Sequence, residues 1–166
     1  SSATTDSLVL QTTLVNGQAQ STTTWGALIG LSDSTSATPQ YQLNILYGNN
    51  QYNIFISRAG SSGPQGNVTV TQASNPLLWN YLDSSWKSSP GGIRLTLQYQ
   101  KVSGTSQSSI IILYLADTPV WSWNDTAPLA SMSRVYVSST NCTQTFQSPT
   151  VGTVNTQTLL SNTTGY

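Results

Sequence analysis

The sequence predicts an all-β fold, a two-sheet antiparallel β-sandwich with one or two short helices. Apolar and polar residues alternate over many short segments, as they do in strands with one buried face. Turn residues separate these segments at close intervals, without the long helical patterns that an α/β fold requires. The chain has 166 residues, which is the usual size of one domain, so we expect a single domain spanning residues 1–166.

The strands can be placed in order along the chain. The alternation is clearest in three segments, whose apolar residues are Leu43, Ile45 and Tyr47, then Tyr52, Ile54 and Ile56, and then Ile93, Leu95, Leu97 and Tyr99. Further β-rich segments are residues 8–15, 25–31, 66–71, 109–115, 120–123 and 134–137, which gives about ten strands. Residues 47–52 predict a tight hairpin, because the glycine and asparagines between its strands tolerate positive φ angles.

Two segments predict short helices. Residues 75–82 contain Pro76, which suits a first helical position, and residues 153–161 form a second candidate. The segments rich in serine and glycine, residues 59–66 and 103–109, predict surface loops. Cys142 is the single cysteine, so no disulfide can form within the chain, and a small core residue is the simplest interpretation.

Charge and composition exclude several classes of partner. Five basic and five acidic residues give a net charge of zero, and no basic cluster could neutralise a run of phosphates, so we expect no nucleic acid partner. The longest apolar runs are far shorter than the roughly 20 residues of a membrane helix, so we expect no membrane insertion. A lone cysteine and scattered aspartates predict no metal and no cofactor.

The residue types that most enzymes use for catalysis are also missing. The chain has no histidine and all five of its acidic residues are aspartates, so the usual general base, zinc ligand and Ser-His-Asp arrangement are missing. A pair of aspartates could cleave a glycosidic bond, but none lies in a recognisable motif, and turn or capping roles explain isolated aspartates better. The sequence therefore predicts a protein that is not an enzyme and has no catalytic residues.

The remaining chemistry is that of binding. Five tryptophans and eight tyrosines, with many amides and hydroxyls, are the groups that orient a neutral polar ligand such as a sugar. Trp25 lies in an apolar stretch and predicts a core position. Trp86 precedes the turn-rich residues 87–92, so the sequence leaves two placements open for it, one in the core and one exposed in a ligand site. From the residues alone, the candidates for glycan binding are Trp86, Lys87 and Arg94.

Three ordered segments carry a family resemblance. They are residues 24–31 (TWGALIGL), residues 47–55 (YGNNQYNIF) and residues 120–130 (VWSWNDTAPLA). In this order and at these spacings they resemble the head domain of the rotavirus outer-capsid spike protein, its amino-terminal trypsin fragment. The divergence from the common rotavirus group suggests another group, such as C or B.

The resemblance implies a galectin-like sandwich on the virion surface, in the outer capsid, where it attaches the virus to a host cell-surface glycan. The remainder of the spike protein would be its second partner. In this family the loop after the tryptophan-containing strand contributes sugar contacts, and here residues 124–133 form that loop. The resemblance therefore adds Asn124, Asp125 and Ser131 to the candidates for glycan binding.

The absence of one arginine predicts the type of glycan. Members of the family that bind sialic acid carry an arginine on the strand leading into the hairpin, and here residues 39–42 (PQYQ) contain none. A carboxylate ligand is best held by an arginine fork. We therefore expect a neutral oligosaccharide of the histo-blood group type, fucosylated or containing N-acetylgalactosamine, rather than sialic acid.

Two other functions stay open. The chain could be a protein-binding or purely structural capsid spike head, or a secreted microbial adhesin domain. Four sequons, at Asn67, Asn124, Asn141 and Asn162, would accept glycans only in a chain that passes through the secretory pathway. The resemblance implies synthesis in the cytosol, where these asparagines stay unmodified.

Overall fold

The protein is a sandwich of two antiparallel sheets with five strands each, as predicted. The computed structural model describes residues 4–19, 24–103 and 107–153. The strands are β1 (Thr4–Ala19), β2 (Thr24–Ser32), β3 (Tyr41–Gly48), β4 (Gln51–Arg58), β5 (Gln65–Val70), β6 (Ile93–Ser103), β7 (Ser108–Leu115), β8 (Thr118–Asp125), β9 (Arg134–Thr140) and β10 (Cys142–Gly152). One sheet has the order β10-β1-β6-β7-β8 and the other β5-β4-β3-β2-β9, so β8 and β5 are both edge strands.

The core forms where the alternating apolar faces of the two sheets meet. In the second sheet, Leu43 pairs with Ile56 and Ile45 with Ile54, and each of these side chains is at most 1% exposed. The facing strands contribute the matching set, which includes Leu8, Leu10, Leu95, Leu97, Ile111 and Leu113. Burying each such side chain stabilises the fold by roughly 1.5–3 kcal/mol. Cys142 belongs to this core, which confirms its prediction.

The predicted hairpin joins β3 to β4. Tyr47 pairs with Tyr52 across it, and the turn residues Asn49 and Asn50 have φ angles of 53° and 57°. Two successive positive φ angles match the right-handed twist of the flanking strands, and asparagine adopts them at low cost.

One helical segment lies between β5 and β6. Helix α1 (Pro76–Asn80) starts with proline in its first turn, and the side chain of Asn75 accepts a hydrogen bond from the Leu78 N–H at 3.1 Å. The chain then continues as a π-helix, Tyr81–Lys87. The predicted helix at residues 75–82 is thus confirmed in place but is longer than expected. Residues 154–161 of the second predicted helix lie outside the described residues.

An aromatic cluster anchors this helical segment to the sandwich. Trp25 is 4% exposed and Trp86 is fully buried, and their ring centres are 5.3 Å apart. The Trp86 indole N–H also donates to the Gln144 side chain at 2.9 Å. Trp25 therefore takes its predicted core position. Of the two placements left open for Trp86, the core placement is correct, because the π-helix directs the indole inward.

Candidate functional site

A groove of about 880 Å³ runs along β8, and we call it the edge groove. Its lining comes from both sheets and from the start of α1. The lining residues are Gly66, Asn67, Val68, Asn75, Leu78, Ile110, Ile112, Tyr114, Pro119, Val120, Trp121 and Ser122. Its volume falls within the range of about 300–1,000 Å³ that is typical of small-ligand sites.

A close contact between the two edge strands closes one wall of the groove. The Trp121 indole N–H donates to the Gly66 carbonyl at 2.9 Å, which ties β8 to β5. Gly66 has a φ of +60°, and a Cβ there would lie 2.8 Å from Trp123 Cδ1 and 3.0 Å from Trp121 Cζ2. Only glycine fits both this backbone angle and this space. Gly66 therefore sets how closely β5 approaches the tryptophans of β8.

The groove combines an apolar floor with a neutral polar rim. Tyr114 and Trp121 are each 7% exposed, and the Tyr114 hydroxyl donates to the Gln98 side chain at 3.3 Å. Asn67 and Ser122 are exposed at the rim. The lining contains no charged side chain. Such a surface offers van der Waals contact and hydrogen bonds but no ionic anchor for a charged ligand.

Asn124 extends the rim at one end. It pairs with Ile110 in the ladder between β7 and β8, as Ser122 pairs with Ile112. Side chains two residues apart on a strand point to the same face, so Asn124 and Ser122 share the outer face of the sheet. Asn124 is also exposed. Of the six residues predicted from the sequence for glycan binding, Asn124 lies next to the edge groove.

The structure corrects the prediction for Trp86. Its indole is fully buried and packs against Trp25 and Tyr52, with ring centres 5.3 Å and 6.2 Å away. A buried ring has no face to offer a sugar, so Trp86 is a core residue and not a ligand contact.

Lys87 is also engaged in packing. Its ammonium lies 3.2 Å from the Asp83 carboxylate and 4.3 Å from the centre of the Tyr47 ring. Burial alone would lower the pKa of Lys87, but hydrogen bonds with Tyr47 and Asp83 raise it above its ordinary value. These contacts hold the π-helix against the β3–β4 hairpin.

Arg94 lies at the start of β6 and is ion-paired with Asp117 in the β7–β8 turn. Both side chains are more than half exposed. Arg94 and Asp125 lie at opposite ends of their sheet, because Leu95 pairs with Leu115 whereas Lys101 pairs with Ser109, the neighbour of Asp125. Arg94 and Asp125 are therefore separated by roughly 20 Å along the strand direction. The predicted residues therefore do not form one site.

Asp125 proves to be a structural residue. It is 6% exposed, and its carboxylate accepts hydrogen bonds from Arg58 Nε at 2.7 Å, the Tyr41 hydroxyl at 2.8 Å and the Ala127 N–H at 3.0 Å. Burial alone would raise the pKa of Asp125, but these hydrogen bonds, from Arg58 first, bring it below its ordinary value. With its oxygens committed to this network, Asp125 is unsuited to hold a ligand.

The loop after β8 is fixed by the same network. Arg58 donates to the Ala127 carbonyl at 2.6 Å, and the Leu129 N–H donates to the Tyr41 hydroxyl at 2.9 Å. Ser131 is exposed, and its hydroxyl donates to Asp6 at 2.6 Å. Ser131 is thus bonded to β1 and does not belong to the lining of the edge groove.

Comparison with known proteins adds little. No protein-family model matches the sequence, and no curated protein sequence matches it. Among solved structures, the chain is similar to sheep galectin-11 in complex with glycerol, with a TM-score of 0.44 and 9% identity over 89% of each chain. It is also similar to Scytalido-glutamic peptidase with a peptide-based transition-state analogue, with a TM-score of 0.32 and 11% identity over 86% of this chain and 74% of that one. Likenesses this weak assign neither a family nor a function.

Two other features are absent from the described part of the chain. No three side chains of histidine, cysteine, aspartate or glutamate gather there to hold a metal ion. Nor does any helix in that part have the length and apolar character needed to cross a membrane.

Sequence reasoning missed most of the groove. Tyr114, Val120 and Ser122 lie in strands that were predicted, and the alternation itself places Tyr114 and Ser122 on the face turned away from the core. An aromatic residue on the outer face of a strand was the available signal. The contribution of β5 had no such signal, because it depends on how the two sheets approach each other.

Proposed function

We propose that this domain is a viral attachment lectin that binds neutral cell-surface glycans in the edge groove. The observation that carries the proposal is the groove itself, with Ile110, Ile112 and Tyr114 in its floor, exposed Asn67 and Ser122 at its rim, and a lining without charge. The apolar face of a sugar ring packs on such a floor, and its hydroxyls bond to amide and hydroxyl groups at the rim.

The viral assignment rests on the sequence resemblance. Residues 120–130 form β8 and the loop that follows it, so one of the three segments that resemble the rotavirus spike head also builds a wall of the groove. We place the domain on the outer capsid, joined to the remainder of the spike protein. Its partner is a host glycan of the histo-blood group type.

Neutral glycans are preferred to sialic acid for an electrostatic reason. Arg58 is committed to Asp125, and Arg94 is paired with Asp117. Neither belongs to the groove lining. A sialate carboxylate in the groove would therefore lose its hydration without gaining a charge-assisted hydrogen bond.

The test is an NMR titration of the cytosolically expressed domain with the blood-group A trisaccharide. We expect weak saturable binding, with a dissociation constant of about 0.1 to several mM, because a shallow site gains little beyond its ordering costs. Shifts should centre on Ile110, Ile112 and Ser122. Ser122→Tyr should abolish them by filling the groove, whereas the matched Ser138→Tyr, on exposed β9, should leave them intact.

Two results would overturn the proposal. One is the absence of shifts with any neutral glycan at tens of millimolar, which would favour the protein-binding capsid head. The other is stronger binding of 3′-sialyllactose than of the neutral trisaccharide. On cells, attachment of the domain should persist after sialidase treatment.

A further inference from the structure

We propose that the glycan site continues from the edge groove over β5 to the outer face of the second sheet. The domain would then bind an extended oligosaccharide more tightly than a trisaccharide. This inference rests on the proposed function, because it concerns the glycan that the edge groove holds. The observation that carries it is a second pocket, which shares Asn67 with the edge groove.

The second pocket has a volume of about 180 Å³, and we call it the outer pocket. Its lining includes Leu46, Gln51, Asn53, Phe55, Pro64 and Asn67. Phe55 points to the outer face of the sheet, because its neighbours Ile54 and Ile56 are buried in the core. Small-ligand sites usually have volumes of roughly 300 Å³ or more. The outer pocket therefore suits one unit of a longer sugar chain better than a ligand of its own.

A β-bulge in β5 brings the two pockets together. The ladder between β4 and β5 shifts register there, so that Gly66 and Asn67 both lie opposite Phe55. Gly66 has a φ of +60°, the positive angle that one common type of bulge requires, and a bulge re-aims the side chains beside it. Asn67 is exposed and lines both pockets. Since β5 is an edge strand, only the width of one strand, roughly 5 Å, separates the edge groove from the outer face.

The chemistry of the outer pocket matches that of the edge groove. The lining of each contains no charged side chain. Phe55 is half-buried and offers a ring on which the apolar face of a sugar packs. The Asn53 side-chain oxygen accepts a hydrogen bond from the Thr69 hydroxyl at 2.9 Å, so the NH₂ group of Asn53 is left to donate to a sugar hydroxyl. A neutral oligosaccharide is therefore a ligand that both pockets can hold at once.

The length of the glycan then determines its affinity. A sugar unit joined to one already bound in the edge groove reaches the outer pocket without a second loss of translational freedom. The reducing end of the bound trisaccharide therefore points toward β5, and the units that follow it cross Asn67 to reach Phe55. Phe55 is the residue that selects for chain length.

The experiment compares two neutral glycans in NMR titrations of the cytosolically expressed domain. One is the blood-group A trisaccharide, and the other is the blood-group A hexasaccharide, which carries the same trisaccharide at its non-reducing end. Both should shift the resonances of Ile110, Ile112 and Ser122. Only the hexasaccharide should also shift those of Asn53 and Phe55, and its dissociation constant should be several-fold lower.

Two variants test the role of the Phe55 ring. Phe55→Leu should remove the gain, so that the hexasaccharide and the trisaccharide bind this variant equally. Tyr136→Leu is the matched control and should keep the gain. Tyr136 lies on the outer face of the same sheet, because the adjacent Val135 packs against the core, and it lines neither pocket.

The outcomes separate this inference from the proposed function. Trisaccharide binding in the edge groove with no gain for the hexasaccharide would overturn the inference alone. So would a gain that survives in Phe55→Leu, or a hexasaccharide that leaves Asn53 and Phe55 unshifted in the unmodified domain. If neither glycan shifts Ile110, Ile112 or Ser122, the proposed function fails and this inference fails with it.

Discussion

Tyr41 and Asp125 join the two sheets through a 2.8 Å hydrogen bond between the phenol and the carboxylate. Tyr41 belongs to β3 and Asp125 to β8, so this bond crosses the sandwich at one end. Arg58, at the end of β4, meets the same carboxylate oxygen at 2.7 Å. Three strands and the loop after β8 therefore share one buried charged group, and a buried charge is stable only with such partners.

Replacing Asp125 with asparagine should destabilise the fold by roughly 1–3 kcal/mol at pH 7, because Arg58 is left with an unpaired charge. Asp117→Asn breaks the exposed pair with Arg94 and should cost less than about 0.5 kcal/mol. Chemical denaturation of the two variants measures both effects. Equal losses would show that the Asp125 network contributes no more than a surface ion pair.

The same network makes stability depend on pH. The pKa of Asp125 in the fold lies below its ordinary value of 3.8, so its ionised form stabilises the fold above that pH. This contribution is lost as the pH falls through the lowered pKa. Unfolding free energies measured from pH 6 down to pH 2 should therefore fall less steeply for Asp125→Asn than for the unmodified chain. If the unfolding free energies of both proteins fall equally steeply, the acid sensitivity comes from groups other than Asp125.

Gly66 offers a test of how the groove wall is positioned. A Cβ at Gly66 would overlap Trp123, whereas one at Gly63 would meet nothing within 4 Å. Gly66→Ala should cost roughly 1–3 kcal/mol and displace β5, because the added methyl group forces the strands apart. Gly63→Ala should stay within about 0.5 kcal/mol of the unmodified chain. Thermal unfolding and tryptophan fluorescence measure the two effects, and identical behaviour of the pair would contradict the close contact.

The strands with one apolar face could be predicted from the sequence because burial enforces their alternation. β3 and β4 are examples, since Ile45 and Ile54 must both point inward. β10 was not predicted, because its residues after Phe146 are exposed and Pro149 weakens the pattern. An edge strand needs little apolar signal, since it is held mainly by its ladder with β1.

The candidate site was harder to predict than the fold. Trp86 and Lys87 precede a run of turn residues, yet both belong to the π-helix, which ends at Lys87 and directs the Trp86 indole into the core. Asp125 lies in the loop segment that the resemblance singled out, but only the three-dimensional fold reveals that Arg58 and Tyr41 neutralise it. Local sequence does not record partners that are far apart along the chain.

The burial of Trp86 leads to a fourth prediction. Trp86→Phe removes the hydrogen bond to Gln144 and leaves a cavity, so we expect a loss of roughly 1–3 kcal/mol. Trp79→Phe, at a half-buried position, should cost less. Neither change should alter the dissociation constant for the blood-group A trisaccharide, measured by NMR on the folded variants. A large loss of affinity in Trp86→Phe at unchanged stability would restore Trp86 to the binding site.

Trypsin provides a final test, since it cuts after basic residues only where the backbone opens locally. From the sequence we expect the native domain to resist concentrations that digest a denatured control, with slow cuts only at Arg58 or Lys87, which border loops. The structure predicts different cleavage rates at these two sites. The bond after Arg58 is held, because Ala59 N–H donates to the Gln40 carbonyl at 2.8 Å. Lys87 ends the π-helix and is followed by residues 88–92, which lack a ladder.

We therefore expect the first cut after Lys87, detected by mass spectrometry of a timed digest. Lys87→Gln should remove it. In Asp125→Asn, a cut after Arg58 should appear earlier than in the unmodified chain, because the loss of the carboxylate releases the end of β4. An initial cut after Arg94, Lys101 or Arg134, which lie in β6 and β9, would contradict the strand pairing described for those residues.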